Sequence, residues 1–303
     1  MAAITAKDVA TLRAKTGLGM MDCKKALVEA EGDMDKAVKI LREKGLATAA
    51  KKEGRIAAEG VVDIMTENNV TAMIEVNTET DFVAKNATFQ EFVKNLLSTL
   101  ITAKPANLDA FLATGYVGTA TTVSDKLVEM VAMIGEKIKI RRFEIVEGTV
   151  ATYIHGAGST GVVVKFTTDA ADNAAFTECA KNVALQIAAG NPPKYVYKEE
   201  VPANEIAEEK AVLIQQAKND PKNANKPEAI LEKMVGGRLG KFYERVCLVE
   251  QAYVKDDKMT VGAYVASVNA NISIDSFVTF EKGEGIEKRE DNLGDEVAKM
   301  LNK

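Results

Sequence analysis

The chain has 303 residues, 39 Lys and Arg against 44 Asp and Glu, a net charge of −5, and 47% hydrophobic side chains, the profile of a soluble globular protein of two or three domains. The negative balance argues against a broad phosphate-binding surface, and a single His excludes a His-rich metal centre and leaves His155 as the only imidazole for a triad. Cys23, Cys179 and Cys247 stand far apart with no C-x-x-C pair, which argues against a zinc knuckle or disulfide framework and for a reduced protein.

No stretch approaches the roughly 18 consecutive apolar residues of a membrane helix. Met1–Asp8 has no basic run followed by an apolar one, so no signal peptide is expected. Residues 1–60 hold 12 basic and 9 acidic side chains, against 27 and 35 in the rest. That mild asymmetry suggests a separate N-terminal module.

Residues 5–45 read as three short helices. Thr5 with Asp8 forms a capping box pattern, and Gly17 is placed to end the first helix. Cys23, Ala26, Leu27 and Ala30 give the second its stripe. Asp33 caps the third, with Gly45 expected to stop it. Ala47–Arg55 reads as a helical linker. Met20 and Met21 are adjacent at a helix start, so both cannot face inward. They suit either loose core filling or an adaptable contact surface.

The middle of the chain repeats itself. Asn86-Ala87-Thr88-Phe89-Gln90-Glu91 matches Asn173-Ala174-Ala175-Phe176-Thr177-Glu178 at an offset of 87, and Glu59-Gly60 matches Glu147-Gly148 at 88. The slip places one inserted residue within Phe82–Lys85. Each copy predicts two strands and a helix: 60–65, 71–76 and 88–102 in the first; 149–154, 161–166 and 174–189 in the second. A further helix at about 124–135 leads into the basic strand 137–142. Two hairpins each carrying a helix make an α+β fold with a duplicated core.

Gly156-Ala157-Gly158-Ser159-Thr160-Gly161 spells G-x-G-x-x-G. A dinucleotide site needs a helix after that run, whereas Val162–Phe166 predicts a strand. The run therefore reads as a hairpin turn, with His155 at its edge as a strand-end residue. In Thr80-Asp81-Phe82-Val83, Thr80 and Asp81 suit the start of a helical turn. The residues leave two readings for Phe82, a core residue tucked back or an aromatic anchor presented outward.

Residues 199–247 read as a protruding helical hairpin with a turn over 219–226, Pro227 opening the return helix and Gly236-Gly237 marking a break. Strand patterns follow around 246–254 and 276–281, with a short helix at 258–264 between them and a last helix at about 293–301.

Two segments carry a resemblance. Leu12-Arg13-Ala14-Lys15-Thr16-Gly17-Leu18-Gly19-Met20-Met21-Asp22-Cys23-Lys24-Lys25-Ala26-Leu27 closely resembles the N-terminal signature of the bacterial elongation factor Ts family, and Glu75–Lys85 resembles its second signature. The likeness extends through Ile134–Ile138, the hairpin and Gly283–Lys288. It implies a ubiquitin-associated-like (UBA-like) three-helix domain at 1–55, core subdomains at 56–146 and 147–265, an antiparallel coiled coil inserted at 199–236, and a C-terminal strand and helix module at 266–303. It further implies a cytoplasmic guanine-nucleotide exchange factor for elongation factor Tu, without covalent chemistry or a cofactor and without direct nucleic-acid or membrane contact. Thr80, Asp81, Phe82 and Val83 would dislodge the partner's Mg²⁺, with Phe82 as the wedge. Arg13, Met20 and Met21 would grip a helix of the GTPase domain, and His155 would lie near a second partner domain. Homodimer or 2:2 assembly through the coiled coil or core stays open. So do two other classes, a nucleotide-binding enzyme using Gly156–Gly161 and a scaffold without exchange activity.

Overall fold

The computed structural model describes residues 4–189, 192–220, 228–269 and 271–287. They fall into two compact units, one holding the described chain up to Ile145, the loop Gly156–Ser159 and the segment from Phe280 onward, the other Val146–His155 and Thr160–Thr279. Helices and antiparallel sheets together make the mixed α+β class that the sequence predicts.

The first unit opens with α1 (Ala6–Thr16), α2 (Met20–Glu29) and α3 (Met34–Lys52). The expected capping box forms: Thr5 Oγ1 accepts from the Asp8 N–H at 3.2 Å, and the Asp8 carboxylate accepts from the Thr5 N–H at 2.9 Å. Gly17 ends α1 at φ +70°. Asp33 caps α3 by accepting from the Asp35 and Lys36 N–H groups. Leu12, Cys23, Ala26, Leu27, Ala37 and Leu41 close a small core between the three helices.

Gly45 does not stop the third helix. α3 runs on to Lys52 and absorbs most of the stretch expected as a linker. A Cβ at Gly45 would lie 3.3 Å from Val128 Cγ1 and 3.6 Å from Ala132 Cβ, both on α7 (Val123–Ile134). The glycine is a close-approach point between two helices, and that packing outweighs its helix penalty of about 1 kcal/mol.

β1 (Glu59–Glu67) and β2 (Val70–Thr78) pair antiparallel from Glu59↔Thr78 to Glu67↔Val70. Asn68 and Asn69, both at positive φ, make the two-residue turn between them. β3 (Ile138–Glu147) lies on the other side of β2, which is therefore central and buried along its whole length. α4 (Asp81–Ala84) is a single turn, and α5 (Ala87–Ala103) packs Phe89, Phe92, Leu96 and Leu100 against Ile74 and Val76 in the core of this unit. α6 (Leu108–Ala113) precedes α7.

The second unit repeats the plan. β4 (Val150–His155) and β5 (Thr160–Thr167) form a hairpin, and α8 (Ala174–Ala189) closes a core of Val162, Val164, Phe166, Phe176 and Val183. The matched asparagines start matched helices: Asn86 Oδ1 accepts from the Thr88 N–H at 2.9 Å, and Asn173 Oδ1 from the Ala175 N–H at 2.8 Å. Gly60 and Gly148 recur because both stand at positive φ, +122° and +106°. Their surroundings differ. A Cβ at Gly60 would fall 2.1 Å from Val76 O, whereas at Gly148 the nearest atom is Lys165 Cε at 3.6 Å. Positive-φ strain of about 1–3 kcal/mol applies to both alanine variants, and the clash adds only at Gly60. Gly60→Ala should therefore lower the urea midpoint more than Gly148→Ala; equal midpoints would contradict this.

α9 (Ala203–Asn219) and α10 (Glu228–Val246) form the helical hairpin, with Leu213 and Ala217 buried and a separate small core of Val201, Phe242, Val246 and Cys247 at its base. Gly236 and Gly237 do not break the chain, since α10 passes through both. A Cβ at either meets nothing within 4 Å, so neither glycine serves packing. Replacing each by Ala should stabilise the protein by roughly 0.5–1 kcal/mol, read as a raised thermal midpoint; a lower midpoint would overturn the idea of free space at these positions. Of the turn expected over 219–226, Asn219 ends α9 and Asp220 is its cap; residues 221–226, and Pro227 expected to open the return helix, lie outside the described residues.

Beyond the hairpin, the strand expected over 246–254 is instead the end of α10, a 3₁₀ turn at Leu248–Glu250 and the two-residue β6 (Ala252–Tyr253). The helix expected at 258–264 starts later. Asp256–Thr260 form β7, paired with β6, and Thr260 caps α11 (Val261–Val268) by accepting from the Ala263 N–H at 3.1 Å. β8 (Ser273–Glu281) covers the strand expected at 276–281 and completes the sheet in the order β4-β5-β8. The last helix, expected at 293–301, lies outside the described residues.

Candidate functional site

The chain leaves β2 at Thr78 and turns sharply into α4. Thr80 is extended, and its Oγ1 accepts from the Val83 N–H at 3.4 Å, the helix N-cap that the sequence predicts. Successive side chains on a helical turn diverge by about 100°. Val83 and Ala84 take the inward directions and are buried, so Phe82 is carried outward. It is 81% exposed, more than any other large hydrophobic side chain among the described residues. The outward reading of Phe82 is the one the structure adopts.

This corner is braced from outside the segment. The Glu136 carboxylate accepts from the Thr80 N–H at 3.0 Å and from its hydroxyl at 2.8 Å. Glu79 accepts from the Lys137 N–H at 2.6 Å and pairs with Arg55 Nη1 at 3.2 Å. Thr78 Oγ1 donates to Thr80 O at 2.8 Å. Asp81 pairs with Lys85 at 2.6 Å, and that hydrogen bond holds the Asp81 carboxyl below the usual aspartate range, so it is ionised at neutral pH. The corner therefore presents an exposed aromatic ring, preceded in the chain by a half-exposed carboxylate, on a fixed backbone.

Arg13 stands in the last turn of α1 and Met20 and Met21 in the first turn of α2, on either side of the Gly17–Gly19 loop. Arg13 is exposed, and Met20 and Met21 are 55% and 63% exposed, not core filling. Adaptable thioether side chains on a surface suit a partner of irregular shape. His155 ends β4 in the second unit and is exposed, its Nδ1 3.3 Å from Tyr153 Oη. The following Gly156–Ser159 is a tight turn with Gly156, Ala157 and Gly158 all at positive φ, and β5 rather than a helix follows it. The G-x-G-x-x-G run thus has no helix N-terminus to hold a pyrophosphate.

Burial pushes the Cys179 and Cys247 thiols up to about 11, so both stay protonated at neutral pH. Among the described residues no group of three or more His, Cys, Asp or Glu could hold a metal ion, and no helix is long and apolar enough to cross a membrane.

Sequence reasoning missed the braces. Glu136 lies 56 residues from Thr80, and only its place in the Ile134–Ile138 signature drew attention to it. It also missed Glu75, wholly buried in β2 yet bonded by Arg141 and Arg142, where the clue was an acidic residue in an apolar strand and an Arg pair in the next.

Comparison with known proteins agrees with the motifs. The family model described as "Elongation factor TS" matches residues 79–284, more than half of the chain. Elongation factor Ts of Clostridioides difficile is 50% identical over 309 aligned residues, covering 99% of this chain and 100% of that protein. Elongation factor Ts of Syntrophotalea carbinolica is 44% identical over 304, covering 98% and 99%. The match contains the braced corner, both relatives span it together with the N-terminal helices, and on that basis the chain belongs to the elongation factor Ts family.

Proposed function

We propose that this chain is a guanine-nucleotide exchange factor for elongation factor Tu, in which the Thr80–Val83 corner enters the partner's GTPase domain, dislodges Mg²⁺ and promotes GDP release so that GTP can rebind. The observation that carries it is the outward Phe82, 81% exposed on a turn fixed by Glu136. GDP held by a GTPase depends on Mg²⁺ bridging phosphate oxygens in near-octahedral geometry and on a phosphate-cradling loop. A ring inserted beside that site displaces side chains that support the metal. The Asp81 carboxylate adds a charge of the same sign as the phosphates.

Val83 and Ala84 form the floor of the turn, and Thr80 fixes its entry. Arg13, Met20 and Met21 are the grip of a UBA-like N-terminal domain on a helix of the partner. His155, with the glycine turn after it, faces a second partner domain. The hairpin of α9 and α10 acts as a coiled coil, and the chain works in the cytoplasm without covalent chemistry or a cofactor of its own. Domain limits of 1–55, 56–146, 147–265 and 266–303 remain the working division.

Exchange is a reciprocal coupling: whatever weakens GDP on the partner must also be weakened by GDP and Mg²⁺ in its own binding. Release of a fluorescent GDP from elongation factor Tu, followed with and without this chain and across a Mg²⁺ series, tests it. The expected result is accelerated release that rising Mg²⁺ suppresses. Binding to elongation factor Tu without acceleration would make the chain a scaffold instead.

A further inference from the structure

We propose that Glu136 is the positioning residue of the Phe82 turn, acting through Thr80; this deepens the exchange reading above and rests on it. Glu136 bonds the N-cap residue of that turn. Its carboxylate accepts from both polar hydrogens of Thr80, the N–H at 3.0 Å and the hydroxyl at 2.8 Å. Hydrogen bonds to an ionised acceptor are the strong ones. Together they fix the N-cap backbone and the hydroxyl rotor, and leave a Thr80 Oγ1 lone pair facing the Val83 N–H at 3.4 Å. An isolated four-residue turn cannot hold itself, because nucleation fixes several residues for one hydrogen bond.

The exchange of carboxylates is mutual. Glu79, just before Thr80, accepts from the N–H of Lys137, just after Glu136, at 2.6 Å. The Glu136 side is itself anchored. It follows Gly135, the left-handed cap of α7, whose carbonyl accepts from Lys52 at the end of α3, while Lys137 pairs with Glu53 at 3.5 Å. The direction of the Phe82 ring is thus set by two helix ends rather than by the turn alone. With the clamp lost, a molecule whose ring is misaimed still docks through its other contacts but does not act on the partner's site, so the maximal rate falls with the aimed fraction while docking is kept.

The test is stopped-flow release of fluorescent GDP from elongation factor Tu by the full chain, with Glu136→Ala, Glu136→Gln, Thr80→Val, Thr80→Ser, Phe82→Ala and the Glu136→Ala/Phe82→Ala double variant. Misplacing a working group by about 1 Å can cost a hundredfold; Glu136→Ala is expected to lower the maximal release rate by about tenfold with little change in half-saturating concentration. Thr80→Ser should recover most of the rate lost in Thr80→Val. The double variant should be no slower than Phe82→Ala alone, because a clamp that acts only through the ring has nothing to position once the ring is gone. Hydrogen exchange at the amides of 80–84 should quicken in Glu136→Ala while the thermal midpoint stays near that of the parent. If Glu136→Ala fails to fold, Glu136→Gln, which keeps its volume and one acceptor, carries the same tests. A full maximal rate in Glu136→Ala, a loss confined to half-saturation, or additivity with Phe82→Ala overturns the positioning role. Undiminished exchange by Phe82→Ala overturns the wedge reading itself, and the positioning role with it.

Discussion

Phe82→Ala is expected to slow stimulated GDP release from elongation factor Tu by roughly 30-fold or more while leaving the thermal midpoint of the chain almost unmoved. The two halves of that expectation come from one fact, the 81% exposure of the ring. A side chain with so little contact in its own fold contributes little to folding, and surface substitutions usually stay within about 0.5 kcal/mol. An exposed aromatic on a rigid corner is the kind of residue that becomes an anchor once a partner closes over it, and such anchors cost about 2 kcal/mol or more when truncated, close to 30-fold. The loss should appear in the maximal rate, because a wedge that acts on the metal and phosphate site works after the complex has formed. Phe82→Leu should retain part of the rate, since it keeps apolar bulk without the ring. Unchanged release by Phe82→Ala would sink the wedge.

The local chemistry of this corner was readable in advance, and its direction was not. Thr80 as a cap follows from residue type and is observed. Which way Phe82 points depends on Val83 and Ala84 filling the inward positions, and on a carboxylate 56 residues away that no local pattern announces. The same division runs through the fold. Helices with an apolar stripe and a capping side chain, α1, α5 and α8, lie within a residue or two of where the sequence puts them. Gly45 and Gly236-Gly237 look like stops in the sequence because glycine is locally costly in a helix. At Gly45 the cost is outweighed by the close approach of Val128 and Ala132, and α10 continues across the other pair because elongating an existing helix is far easier than starting one. Lys258–Thr260 form a short run of mixed polarity with no decisive period, which suits a helix as well as a strand; pairing with β6 makes it a strand.

Glu75→Gln is expected to bring the largest loss of stability, about 3–5 kcal/mol at neutral pH, the usual cost of removing one partner from a buried ion cluster. Glu75 is wholly buried at the centre of β2. Its carboxylate accepts from Arg141 Nη1 at 2.9 Å, Arg142 Nε at 2.6 Å, Asn77 Nδ2 at 3.1 Å and the Gly283 N–H at 2.8 Å. Arg142 is in turn stacked 4.3 Å from the centre of the Phe280 ring and donates to Glu284 at 2.9 Å. One carboxylate therefore ties β2, β3 and the segment after β8 together. Gln keeps the volume but turns an acceptor into a donor facing two guanidinium groups, which must then be rehydrated or left unpaired. Burial alone would push the Glu75 carboxyl up, yet the bonds from Gly283, Asn77, Arg141 and Arg142 outweigh it and hold the group below the ordinary glutamate value. A folded-state value below the unfolded one means stabilisation that is fully present above the unfolded glutamate pKa of about 4.3 and is lost as pH falls through the folded value. The gap in urea midpoint between the parent and Glu75→Gln should be full at pH 7 and narrow progressively below about pH 4. A gap that stays constant down to pH 3 would show that Glu75 does not titrate with folding, and that the carboxylate cluster contributes packing rather than charge.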